Sequence, residues 1–142
     1  MRDLKGKLVL VVDDESETRD FLSAVLDDNQ IKTITAANGI EAMQKVKEAK
    51  PDVILLDLMM PGQSGMKFFN ELKKNEEYSN IPVIIVSGAS EVTGVDMKAF
   101  IYDKEFSERK KRITGIDAKP DAYVEKPVDP EKLIETIKKS LS

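Results

Sequence analysis

Three aspartates close apolar runs in this chain. Leu8-Val9-Leu10-Val11-Val12 ends in Asp13 and Asp14, and Val53-Ile54-Leu55-Leu56 ends in Asp57. Continuous apolar runs of this length suit strands buried on both faces, as in a parallel sheet. In open α/β sheets, ligands bind outside the carboxyl ends of the strands. If the two strands are neighbours, the three carboxylates converge in one pocket. Unpaired, such charges repel, and a bound cation removes that cost. Magnesium fits, because it takes a few carboxylates and keeps several waters. The chain has no histidine and no cysteine. A resident metal must therefore be held by oxygen, which favours magnesium or calcium over zinc.

Two further groups sit at the same kind of position. Ser87 ends the run Val83-Ile84-Ile85-Val86 and is followed by Gly88 and Ala89. Lys126 follows Tyr123-Val124-Glu125 and precedes Pro127. A hydroxyl and an ammonium beside the acids suit a phosphoryl group: one donates a hydrogen bond and the other offsets charge. Each residue alone has an ordinary explanation. An aspartate after a strand commonly forms a turn or caps a helix, and a lone serine or lysine is usually a turn residue or a solvated charge. The combination is what points to a site.

The elements that must position these groups alternate along the chain. Phe21, Leu22, Val25 and Leu26 form a helical stripe. Thr33 to Ala36 reads as a short second strand. Asn38 with Glu41 is a capping signal for a helix whose Ile40, Met43 and Val46 face inward. Met66, Phe69 and Leu72 mark a third helix after Pro61-Gly62 and Gly65. Ala122 to Glu125 is a short fifth strand. Asp129-Pro130 opens a last helix carrying Leu133, Ile134, Ile137 and Leu141. This alternation predicts an α/β fold with a parallel sheet in 142 residues, a size that suits one domain.

The residues Val11-Val12-Asp13-Asp14-Glu15, Asp57-Leu58-Met59-Met60-Pro61-Gly62 with Gly65, Ser87-Gly88-Ala89 and Tyr123-Val124-Glu125-Lys126-Pro127 together resemble the receiver domain of bacterial two-component response regulators. The resemblance implies a flavodoxin-like, doubly wound five-stranded parallel sheet in the order 2-1-3-4-5. It implies that Asp57 is the phosphoacceptor and that Asp14 binds Mg2+ directly, with Asp13 acting through water and the Met59 backbone carbonyl adding a ligand. Ser87 and Lys126 are implied to hold the phosphoryl oxygens, with Ser87 and Tyr123 as the switch pair and the Lys126–Pro127 bond cis. Met59 and Ala89 are implied to help set the hydrolysis rate. The implied partners are a sensor histidine kinase or phosphotransfer protein and an unidentified output protein, and the implied role is signalling rather than enzymatic turnover.

The chain departs from the family between Ser87 and Lys126, where it is longer than typical receivers. The single receiver domain is expected to span residues 1–142, with an insertion at about 91–119 that enlarges the region between the fourth strand and the fourth helix. The extra segment carries Phe100, Tyr102, Phe106 and Arg109-Lys110-Lys111-Arg112, read as a solvated helix face or a partner-docking element. Its six acids nearly cancel its seven bases, and the whole chain carries a net charge of -4, so no direct nucleic-acid binding is expected. The apolar runs are too short to span a membrane, and the N-terminus lacks the apolar stretch of a signal peptide. A cytoplasmic location is expected, with signalling through protein contacts. The alternatives are a receiver-like binding module that is never phosphorylated and a Mg-dependent phosphohydrolase. The latter usually places its nucleophile after the first strand, with a second aspartate two residues on. A flavin or dinucleotide domain is disfavoured, because the first loop is acidic and lacks the glycine fingerprint.

Overall fold

The computed structural model describes residues 4–57, 60, 64–87 and 120–141, the side chains of Ser64 and Ser87 excepted. The elements are β1 (Leu8–Val12), α1 (Ser16–Asp28), β2 (Lys32–Ala36), α2 (Gly39–Ala49), β3 (Val53–Leu56), α3 (Ser64–Lys74), β4 (Val83–Ser87), β5 (Ala122–Glu125) and the C-terminal helix α4 (Pro130–Leu141). The strands form one sheet in the order β2-β1-β3-β4-β5, and all four pairings are parallel. The expected 2-1-3-4-5 order and doubly wound α/β class are those observed.

Strand alternation explains the uninterrupted apolar runs. Leu10, Val12, Ile54, Leu56, Val83 and Ile85 enter one core with Ala42, Val46, Phe68, Phe69 and Leu72 of α2 and α3. Val9, Val11, Val53, Leu55, Ile84 and Val86 enter the other, with Leu22, Val25 and Leu26 of α1 and Leu133 and Ile137 of α4. Both faces are covered, so every position in the central strands must be apolar. Each fully buried Leu, Ile or Phe contributes about 1.5–3 kcal/mol of transfer free energy.

Local signals hold the helices in place. The Glu41 amide donates to Asn38 Oδ1 at 2.8 Å, and the Glu41 carboxylate accepts from the Ala37 amide at 3.4 Å. The Glu131 amide donates to Asp129 Oδ1 at 3.0 Å, confirming Asp129 as the cap that opens α4.

Two expected core residues are corrected. Phe21 is 45% exposed and Ile40 is 76% exposed. On α1, the positions Leu22, Val25 and Leu26 already fill the contact with the sheet, and Phe21 lies on the flank of that stripe. On α2, the buried positions are Gly39, Ala42 and Val46, leaving Ile40 on the solvent side of the first turn. Phe68, buried beside Phe69, lies outside the Met66, Phe69 and Leu72 stripe. Two consecutive buried residues on one helix require packing on two sides, which α3 obtains from the sheet and from α2.

Candidate functional site

Sheet register brings the acids together. Val12 is paired with Leu56, so the next residues, Asp13 and Asp57, emerge level at the carboxyl edge of adjacent strands. The backbone continues the ladder there: the Asp57 amide donates to the Val12 carbonyl at 3.0 Å, and the Asp13 amide donates to the Ala36 carbonyl at 3.1 Å. Asp13 and Asp57 are the buried charged side chains among the described residues, at 1% and 5% exposure. Asp14 is exposed at the mouth. One carboxylate oxygen from each of the three lies within 4.8 Å of the other two.

Lys126 reaches the cluster from the end of β5. Its Nζ donates to Asp13 Oδ2 at 2.9 Å and to Asp57 Oδ2 at 3.4 Å, with Glu15 Oε1 at 3.7 Å. The Lys126–Pro127 peptide bond is cis. Burial works to lower the Lys126 pKa. The hydrogen bond to Asp13, with the charges of Asp57 and Asp13, more than offsets it, so the ammonium titrates above its ordinary 10.5. One ammonium among three aspartates leaves the pocket negative. Three oxygen donors in a chain without histidine or cysteine suit a hard cation such as Mg2+, with Asp13, Asp14 and Asp57 as its carboxylate ligands.

Comparison with known proteins gives the family. A profile described as the response regulator receiver domain matches residues 9–105, well over half of the chain. The chain belongs to the response regulator receiver domain family. Among similar proteins, Protein PilH of Pseudomonas aeruginosa is 34% identical over 129 residues, covering 91% of this chain and 93% of PilH. The phosphate regulon transcriptional regulatory protein PhoB of Escherichia coli is 31% identical over 133 residues, covering 94% of this chain and 51% of PhoB. The chain thus spans about half the length of the PhoB-type relatives it matches. Among solved structures, a putative response regulator from Chloroflexus aurantiacus superposes with a TM-score of 0.75 at 25% identity, covering 96% of this chain and 98% of that one. Chemotaxis protein CheY4 of Vibrio cholerae superposes with a TM-score of 0.72 at 26% identity, covering 96% and 99%.

The matched segment of the receiver contains Asp13, Asp14 and Asp57 but ends before Lys126. Lys126 joins the site through its contacts with Asp13 and Asp57. Tyr123 is half-buried on β5 against the α2–α3 core. Ser87 ends β4, level with Glu125 of β5, and its side chain lies outside the described residues. Met59, Ala89 and the segment 91–119 also lie outside them. Two residues with no role assigned from sequence meet the site. Glu15 faces Lys126, and Arg19 Nη1 donates to the Asp13 backbone carbonyl at 2.8 Å. The signal for Arg19 was its place in the first turns of α1, close enough to fold back over the acidic loop.

Proposed function

We propose that this receiver is a phospho-accepting switch in which Asp57 takes a phosphoryl group from a phosphohistidine on a sensor kinase or phosphotransfer protein. The observation that carries the reading is the meeting of Asp13, Asp14 and Asp57 oxygens within 4.8 Å, with the Lys126 ammonium 3.4 Å from Asp57. An Asp57 carboxylate oxygen attacks phosphorus in line, a P–O bond forms, and the P–N bond to the departing imidazole breaks. Mg2+ held by Asp13, Asp14, Asp57 and the Met59 carbonyl would supply charge compensation for the acids and the incoming group. Lys126 exchanges carboxylate oxygens for phosphoryl oxygens, offsetting the charge that arrives. Ser87 donates to another phosphoryl oxygen, and Tyr123 follows it as the second half of the switch.

A phosphoryl group adds about two negative charges and three acceptors, enough to bias a two-state loop. The readout is a changed protein-interaction surface, and hydrolysis resets it. From the family we infer a protein as the output partner and the cytoplasm as the location. Separately, no described helix is long and apolar enough to cross a membrane. We read residues 1–142 as one receiver domain carrying an insertion at about 91–119.

Incubation with acetyl phosphate and Mg2+, followed by intact mass, tests the reading. One phosphoryl group is expected on the wild type and none on Asp57→Asn. An unmodified wild type would favour a binding module that is not phosphorylated, and turnover of a small phosphoester would favour a phosphohydrolase.

A further inference from the structure

The loop between β1 and α1 carries two of the three acids, and its ties are unevenly distributed. The Asp13 amide is held by Ala36, and Asp13 Oδ1 accepts from the Glu15 amide at 2.9 Å. These bonds fix Asp13. Asp14 stands exposed between them. Helix α1 begins beyond Glu15, its N-cap, which makes no side-chain cap bond. The helix grips the loop instead through Arg19. The Arg19 amide donates to the Glu15 carbonyl at 3.1 Å, and its guanidinium donates to the Asp13 carbonyl at 2.8 Å. The Asp13–Asp14 peptide is therefore tied to the Arg19 guanidinium, while the Asp14–Glu15 peptide is held by the Asp13 carboxylate.

We propose that Arg19 is a positioning residue for cation binding: by clamping the Asp13 carbonyl it orients the Asp13–Asp14 peptide so that the Asp14 carboxylate stays beside Asp57. The proposal rests on reading the pocket as a Mg2+-dependent phosphoacceptor site. Two effects of Arg19 oppose each other. Its positive charge repels a second cation, but the side chain is partly exposed, and a screened charge of that kind is worth roughly two- to fivefold in an equilibrium. A hydrogen bond made by a charged donor is worth roughly ten- to a hundredfold. Without that bond the loop samples other arrangements, and apparent affinity falls with the competent fraction. Ordering outweighs repulsion, so Arg19 favours the cation despite its charge.

The test is calorimetric titration of Mg2+ into the full chain as wild type, Arg19→Met, Arg19→Gln and Arg19→Lys, with thermal melts confirming folding. Arg19→Met is expected to bind Mg2+ about tenfold more weakly. Arg19→Gln, which keeps a neutral donor, is expected to lose less. Arg19→Lys, which keeps charge and a donor, is expected to recover most of the affinity. In acetyl phosphate reactions, the half-saturating Mg2+ concentration should rise for Arg19→Met while the rate at saturating Mg2+ stays close to wild type. Unchanged or tighter Mg2+ binding by folded Arg19→Met would overturn the proposal. Should that variant melt below the assay temperature, Arg19→Gln decides: several-fold weakening supports the proposal, and wild-type or tighter binding overturns it. A wild type that binds no Mg2+ sinks the underlying reading, and the role of Arg19 with it.

Discussion

Replacing Lys126 by methionine removes the ammonium from the acidic pocket while keeping most of the side-chain stem. That ammonium lies 2.9 Å from Asp13 Oδ2 and 3.4 Å from Asp57 Oδ2. At an effective dielectric constant of about 20, each attraction amounts to about 5 kcal/mol before desolvation is charged against it. Breaking a buried pair typically costs about 3–5 kcal/mol, because a charge is left uncompensated. The Lys126 side chain retains 21% exposure, so solvent reaches one side of the pair, and the expected loss is about 2–3 kcal/mol. For a chain of 142 residues that corresponds to a fall in Tm of about 6–12 °C. The assay is thermal unfolding followed by circular dichroism, with chelator and then with Mg2+. A cation bound only by the folded state adds about 2.7 kcal/mol at a hundred times its Kd. Lys126→Met has lost the positive charge that competes for the same oxygens, so Mg2+ should raise its Tm more than it raises that of the wild type. The reasoning is refuted if the variant melts with the wild type in chelator, or if Mg2+ stabilises the wild type more.

The same pair of proteins carries a pH signature. The folded pKa of Lys126 lies above the unfolded value of 10.5, so its stabilisation is fully present below 10.5 and is lost as pH rises through the folded value. The stability gap between wild type and Lys126→Met, measured by urea unfolding, should therefore hold across neutral pH and narrow only in stronger alkali. Lys73 behaves in the opposite sense. Burial lowers its pKa, with Asp121 partly opposing, so charging it costs stability below the folded value and that cost is relieved as pH rises toward 10.5. Urea midpoints of Lys73→Met against wild type should show a difference that changes in the wild type's favour over that interval. In the core, Phe68→Ala should lose about 3–5 kcal/mol, whereas Ile40→Ser should stay within about 0.5 kcal/mol, both read from urea unfolding.

Much of this architecture was legible because the central strands are buried on both faces. No polar residue could interrupt Val9 to Val12 or Val53 to Leu56, and the acids that end those runs mark where the sheet meets water. The caps at Asn38 and Asp129 were legible for a similarly local reason, since a short polar side chain there satisfies helix amides directly. Helix faces were harder to read. Phe21 and Ile40 match an apolar stripe, yet the sheet accepts only a narrow strip of each helix, and Leu22 and Ala42 occupy it. The burial of Phe68 depends on α2, a neighbour that no periodicity within α3 reveals. Within the site, Asp13, Asp14, Asp57 and Lys126 stood out as charges at strand ends. Arg19 did not, because its contact is with a backbone carbonyl, and a backbone partner leaves no trace in residue type.

The most direct test of the account is to locate the phosphoryl group. An acyl phosphate formed with acetyl phosphate can be reduced by borohydride, which turns the modified aspartate into homoserine, and the peptides then sequenced by mass spectrometry. The account predicts homoserine at position 57 alone, and only when a divalent cation is present during phosphorylation. Reduction at Asp13 or Asp14, or labelling of residue 57 that proceeds equally well in chelator, would contradict it.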